Sequence, residues 1–189
     1  MARGIFIVGL NGSGKTTLGR ALAERLGWFR MDVEDYYFPD TAVPYANARS
    51  EDEVRRLMLA DIRRHGNFVL SSVHGDLGEE IRSLCALAVW LRAPKALRLA
   101  RIKQREIARF GDRVLPGGDM YDRQIRFCDF AASRTEASVA PLVTSLGCPL
   151  LHIDAAQPIA DSVERIVGFS RAHGILTARQ AGPISELSR

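Results

Sequence analysis

The sequence predicts an α/β fold: buried strands alternating with amphipathic helices around one anion-binding turn. Three observations predict it. Residues 5–8 (Ile-Phe-Ile-Val) form a short apolar, β-branched-rich run that reads as a buried strand. The run Gly9-Leu10-Asn11-Gly12-Ser13-Gly14-Lys15-Thr16 follows and satisfies G-x-x-x-x-G-K-[ST] at every specified position. Four more apolar runs recur downstream, separated by segments with helical spacing.

The glycine-rich turn leads into a helix from Thr17 to Gly27, with Leu18, Ala21, Leu22 and Leu26 on one face and Gly27 as its stop. This order suits a polyphosphate. Consecutive backbone N–H groups in a curled loop make a nest for a dense anion, and the helix N-terminus adds partial positive charge. Gly9, Gly12 and Gly14 let the chain approach the phosphates. Lys15 is placed to reach the β- and γ-phosphates and Thr16 to ligate Mg²⁺. Asn11, Ser13 and Thr17 complete the expected nucleotide-binding set.

Trp28 to Val33 is the second strand. It ends in an acidic, aromatic loop, Asp32-Val33-Glu34-Asp35-Tyr36-Tyr37-Phe38-Pro39-Asp40. Carboxylates just past a strand end, one βα unit after a phosphate loop, sit where α/β sheets bind ligands. Thr41 to Arg49, with Pro44, reads as loop. Ser50 caps the next helix and Glu53 closes a capping box. That helix carries Val54, Leu57, Met58 and Ile62 and ends near His65-Gly66.

Phe68 to Leu70 is the third strand, and it runs into Ser71-Ser72-Val73-His74-Gly75-Asp76. Serines stand where an acid that holds Mg²⁺ through water is expected; the nearest acid, Asp76, is displaced. His74 is a candidate substrate contact. Residues 78–82 form a short helix. Leu84 to Leu91 is nearly continuous in apolar character and reads as a central strand.

Pro94 sits at the first turn of the helix Lys95 to Arg109. Arg101, Arg105 and Arg109 are four apart and line one face, so a bound anion would relieve their repulsion. Arg113 continues the row into a glycine-rich stretch, 110–119, that reads as a lid. Met120 to Leu146 is mostly helical, with Arg123, Arg126 and Arg134 as further basic candidates and Pro141 at a kink or new start. Residues 150–153 form a fifth strand ending at Asp154, and Ile159 to Ala172 is the closing helix.

One domain is expected over 1–174, with a lid-like segment at about 109–119 and a C-terminal tail at 175–189. The net charge of +4 suits polyanionic ligands. No dense Lys/Arg tract interleaved with aromatics appears, which argues against nucleic acid as partner. Cys85, Cys128 and Cys148 show no metal-site spacing and read as reduced thiols of a cytoplasmic chain. No run reaches transmembrane length.

The order of these elements resembles the nucleoside monophosphate kinase-like group of phosphate-loop kinases, which includes adenylate, shikimate and gluconate kinases and antibiotic phosphotransferases. The resemblance spans residues 4–172. It implies a three-layer phosphate-loop NTPase fold, a five-stranded parallel sheet in the order 2-3-1-4-5 flanked by helices. Asp32-x-Glu34 is similar to the Asp-x-Asp of shikimate kinases, whose acids bind the acceptor hydroxyl and help hold Mg²⁺. Asp35-Tyr36-Tyr37 is similar to the Asp-aromatic-Tyr stretch of uridine kinases. Arg101 and Arg105 resemble the paired arginines at the start of the adenylate kinase lid. The Asp-Gly-Phe-Pro-Arg run of adenylate kinases is absent.

The expected activity is transfer of the γ-phosphoryl of Mg-ATP to a hydroxyl of a small molecule. Lys15 and Mg²⁺ on Thr16 hold the phosphates, Arg105 and Arg109 add charge, and Asp32 or Asp35, then Glu34, takes the acceptor's proton. Asp32 and Glu34 are also the expected metal partners. Two alternatives stay open. A nucleoside monophosphate kinase would use arginines near Arg49, Arg55 or Arg82, and a nucleotide-binding regulator would transfer nothing.

Overall fold

The computed structural model describes residues 1–39, 48–72 and 77–177. The strands are β1 (Gly4–Val8), β2 (Phe29–Asp32), β3 (Phe68–Ser72), β4 (Cys85–Arg92) and β5 (Leu150–Asp154). They form one parallel sheet in the order β2-β3-β1-β4-β5. The middle strand is β1, and β4 lies inside the sheet between β1 and β5, as the expected order has it. Residues 73–76, with His74 and Asp76, the 40–47 part of the loop before Ser50, and the tail from residue 178 lie outside the described residues.

All of β1 is buried, and its residues alternate between two cores. Ile5 and Ile7 pack with Leu18, Leu22 and Leu26 of helix α1 (Lys15–Leu26) and with Val163, Ile166 and Val167 of helix α8 (Ile159–Ala172). Phe6 faces the other way, onto Met31, Phe68 and Leu70. Val54, Met58 and Ile62 of helix α3 (Glu51–His65) cover that side. The expected cap holds: the Ser50 hydroxyl accepts the Glu53 amide at 3.3 Å.

The 32–40 stretch, expected as loop, folds at once into helix α2 (Val33–Tyr37). The Asp32 side chain caps it, accepting the Glu34 amide at 3.2 Å, so the acidic residues ride on a helical turn. A short helix α4 (Gly78–Arg82) precedes β4, and helix α5 (Lys95–Phe110) follows it.

The glycine-rich stretch after α5 is a 3₁₀ turn, Gly111–Val114, closed by the Met120 amide donating to the Arg113 carbonyl at 2.9 Å. Arg113 does not continue the α5 row. It pairs with Asp119 at 2.7 Å, because the turn brings the two side chains together. Helix α6 (Tyr121–Ser133), a 3₁₀ turn at Glu136–Ser138 and helix α7 (Ala140–Ser145) lead to β5, with Pro141 in the first turn of α7.

The three cysteines are free thiols. Far apart in sequence, Cys85 and Cys148 are brought to 3.2 Å between sulfurs, at the end of the sheet opposite the phosphate loop.

Candidate active site

Two local constraints make the loop after β1. A Cβ on Gly9 would lie 2.5 Å from the Leu91 carbonyl oxygen. Gly12 has φ of 77°, and a Cβ there would lie 2.4 Å from the Arg98 carbonyl oxygen. Both positions therefore demand glycine. The loop delivers its chain to the N-terminus of α1, where Gly14 supplies no side-chain cap. The Ser13 hydroxyl and the Asn11 side-chain oxygen are buried without a hydrogen-bond partner. Free amides at a helix N-terminus and an orphaned buried hydroxyl fit the oxygens of a polyphosphate.

Lys15 is buried, and its ammonium donates to the Leu10 carbonyl at 3.1 Å. Burial lowers its pKa to about 8, opposed by the charges of Glu34 and Asp32 and aided by Arg105 and Arg134.

Thr16 donates to Asp32 Oδ2 at 2.7 Å, joining the start of α1 to the end of β2. Burial raises the Asp32 pKa, while the hydrogen bonds from Thr16 and the Glu34 amide lower it. Burial also raises the Glu34 pKa, against the attraction of Lys15, although the Glu34 side chain keeps an exposed edge. Asp35 is exposed as well and pairs with Arg30 at 2.9 Å. A threonine hydroxyl hydrogen-bonded to a carboxylate is an oxygen donor set suited to Mg²⁺. Among the described residues no cluster of three or more His, Cys, Asp or Glu forms a closed metal cage.

Ser71, near the end of β3, has a packing role. Ser71 is buried and its hydroxyl donates to the Lys15 carbonyl at 3.2 Å. A Cβ on Gly19 would lie 2.5 Å from that hydroxyl, so α1 sits close against β3. In the described chain, the acid that meets Thr16 comes from β2 instead.

The arginine row of α5 divides into different tasks. Arg101 donates to the carbonyls of Ser13 at 3.1 Å and Ala155 at 2.9 Å, bracing the loop against the end of β5. Arg105 pairs with the buried Glu106 at 2.7 Å and lies 6.0 Å from the Phe127 ring. Arg109 stands over Phe110 at 5.1 Å.

Arg98 falls outside the row of arginines read from the sequence. It is buried, and it donates to the carbonyls of Asn11 at 3.2 Å, Ala131 at 3.2 Å and Arg134 at 3.4 Å. Its position carried a signal: Arg98, Ile102 and Glu106, at spacing four, are the buried stripe of α5.

These elements enclose a cleft of about 980 Å³. Asn11, Gly12, Ser13, Gly14, Lys15, Thr16 and Thr17 line its floor, and Asp32, Glu34 and Asp35 line one side. Arg101, Arg105 and Arg109 line the other, with Phe127, Phe130 and Gln157 beside them. Gly9 lies behind the floor and does not line it. Arg49, Arg55 and Arg82 are also outside the lining; they pair with Glu53 at 3.2 Å, with Asp52, and with Glu79 at 2.8 Å. No helix among the described residues is long and apolar enough to cross a membrane.

Residues 5–112 match the family model described as AAA domain. The chain is 30% identical over 177 residues to the uncharacterized protein YqaC of Bacillus subtilis strain 168, covering 89% of this chain and 98% of that one. Among solved structures, a shikimate kinase from Bacteroides thetaiotaomicron superposes with a TM-score of 0.58 at 20% identity, covering 90% of this chain and 99% of that one. A gluconokinase from Sinorhizobium meliloti 1021 superposes with a TM-score of 0.53 at 18% identity, covering 92% and 95%. At those identities the likeness is one of fold: a five-stranded parallel sheet of phosphate-loop kinase topology.

Proposed function

The chain belongs to the AAA domain family, and on that premise we propose that it is a small-molecule kinase moving the γ-phosphoryl of Mg-ATP to an acceptor hydroxyl. One observation carries the reading. The Thr16 hydroxyl meets the Asp32 carboxylate at 2.7 Å inside the phosphate-loop cleft, with Glu34 two residues on. That pairing supports the reading: a hydroxyl able to ligate a metal, a buried acid and a second acid would stand beside a γ-phosphate held by the loop.

Thr16 and Asp32 would hold Mg²⁺, which supplies charge to the phosphate oxygens. The loop amides, the Ser13 hydroxyl and Lys15 bind and orient the β- and γ-phosphates. Arg105 and Arg109 add charge where it spreads over the transferring group. The acceptor oxygen attacks the γ-phosphorus, a new O–P bond forms, and the bond to the β–γ bridging oxygen breaks. ADP leaves, and the acceptor's proton passes to a carboxylate.

For that base the geometry favours Glu34 over the acids ranked first from sequence. Both Asp32 oxygens already accept hydrogen bonds, and Asp35 is tied to Arg30 at the rim. The phosphate-acceptor alternative loses support because its three arginines are paired with their own acids outside the cleft lining. Closure of a lid at 109–119 on the bound nucleotide is part of the proposal.

The test is acceptor-dependent ADP formation over sugars, nucleosides, nucleotides and aminoglycosides, with Lys15→Ala as the blank. Transfer to at least one hydroxyl compound is expected. Nucleotide binding with no acceptor-stimulated ADP release would make the protein a nucleotide-binding regulator instead.

A further inference from the structure

The two banks of the cleft carry opposite charge. Every arginine lining it among the described residues comes from α5. The helix α5 follows β4, whereas β2 lies on the other side of β1, so the end of β2 forms the opposite bank. That bank is continued by α2 and the first turn of α3. It presents Glu34, Asp35 and Glu51 together with the rings of Tyr37 and Phe38.

The arginines nearest this bank have other partners. Arg30 holds Asp35, so the acids of this bank, Asp32, Glu34, Asp35 and Glu51, outnumber the one arginine paired with them. Arg49 binds Glu53 and the Tyr36 carbonyl, and Arg55 binds Asp52.

Among the described residues, the cations of the lining, Lys15 and the α5 arginines, belong to the floor and the opposite bank, so a carboxylate or phosphate held at this bank would sit among like charges. A protonated amine would meet carboxylates and aromatic faces, which attract it by charge and by cation–π contact. We infer that the acceptor is a hydroxyl compound bearing a protonated amine and no carboxylate or phosphate, recognised through Glu51 at the acidic bank. The inference rests on the kinase reading above.

Two matched series test it on the full chain loaded with ADP and Mg²⁺. One is glucosamine, glucose and gluconate; the other is ethanolamine, ethylene glycol and glycolate. Calorimetry reads binding, and ADP formation from ATP reads transfer. In at least one series the amine binds about tenfold tighter than its neutral analogue, and the carboxylate binds weakest. Glu51→Gln removes most of the amine preference, and Glu51→Lys turns it toward the carboxylate, both with unchanged ATP affinity. The inference is overturned if a carboxylate binds as tightly as its amine, or if neither series shows any order, whether all members bind or none does. Unchanged order in the Glu51 variants overturns it as well. A phosphorylated carboxylate would end this inference and leave the kinase reading standing. An amine that binds without raising ADP formation would do the reverse.

Discussion

The floor of the cleft is a backbone loop braced by arginines of its basic bank, whereas the acidic bank is built from side chains at the end of β2, on α2 and at the start of α3. Residues 12–16 line the floor of the cleft. Arg98 and Arg101 hold the loop by its carbonyls at Asn11 and Ser13. On the acidic side, Asp32 alone is buried and doubly bonded, while Glu34 and Asp35 are exposed. The difference separates binding from selection. A backbone cradle suits a phosphate chain, and on the kinase reading a few rim side chains would select the acceptor.

The comparison breaks most severely at Lys15. Lys15→Ala removes the only lysine of the cleft lining. It should cut acceptor-dependent ADP formation by about a thousandfold or more. Steady-state kinetics checks this, and turnover within tenfold of wild type would contradict it.

Next is the brace beneath the basic bank. Arg98→Ala strips hydrogen bonds from three carbonyls, leaves a cavity, and should cost roughly 2–4 kcal/mol of stability. Urea denaturation reads it. A loss under about 0.5 kcal/mol would mean that the loop does not depend on this arginine.

The pH dependence of Lys15 is smaller and sharpens the same bank. Its folded pKa is lowered to about 8 from 10.5, so above about 8 the folded chain holds fewer protons than the unfolded one. Two opposite trends follow between about pH 7 and about pH 9. Metal-free ATP binding weakens severalfold as the cation is lost. The contribution of Lys15 to folding stability rises, because the cost of burying its charge is relieved. Binding isotherms and melts across this range should show both trends, each reduced in Lys15→Ala; flat wild-type ATP binding would contradict the first.

The legible parts of this arrangement are those whose chemistry is contiguous. The phosphate loop could be read because Gly9 to Thr16 must follow one another along the chain. The strand order came with the resemblance that this motif anchors. The acids at 32, 34 and 35 were legible as a cluster. Their roles were not, because they depend on α2 starting at Val33 and recruiting Asp32 as its cap. Arg98 was opaque for a similar reason. Two of its three carbonyl partners, Ala131 and Arg134, lie on a different segment far along the chain. The Cys85 and Cys148 thiols meet only through the β4–β5 pairing.

The smallest expected effect is at the rim. Asp35 is paired with Arg30 and exposed, so Asp35→Asn should change turnover by no more than about threefold. A hundredfold loss would move the base from Glu34 to Asp35.

On the kinase reading the Thr16–Asp32 pair serves phosphoryl transfer, and Asp32→Asn removes the charge on which that role depends. Burial raises the Asp32 pKa, so its ionised form is disfavoured in the fold and removing the charge should leave stability at neutral pH unchanged or higher. The variant should bind metal-free ATP like wild type and lose acceptor-dependent ADP formation by about a hundredfold or more. Asp32→Asn turning over at the wild-type rate with Mg-ATP and the wild-type acceptor would contradict the account.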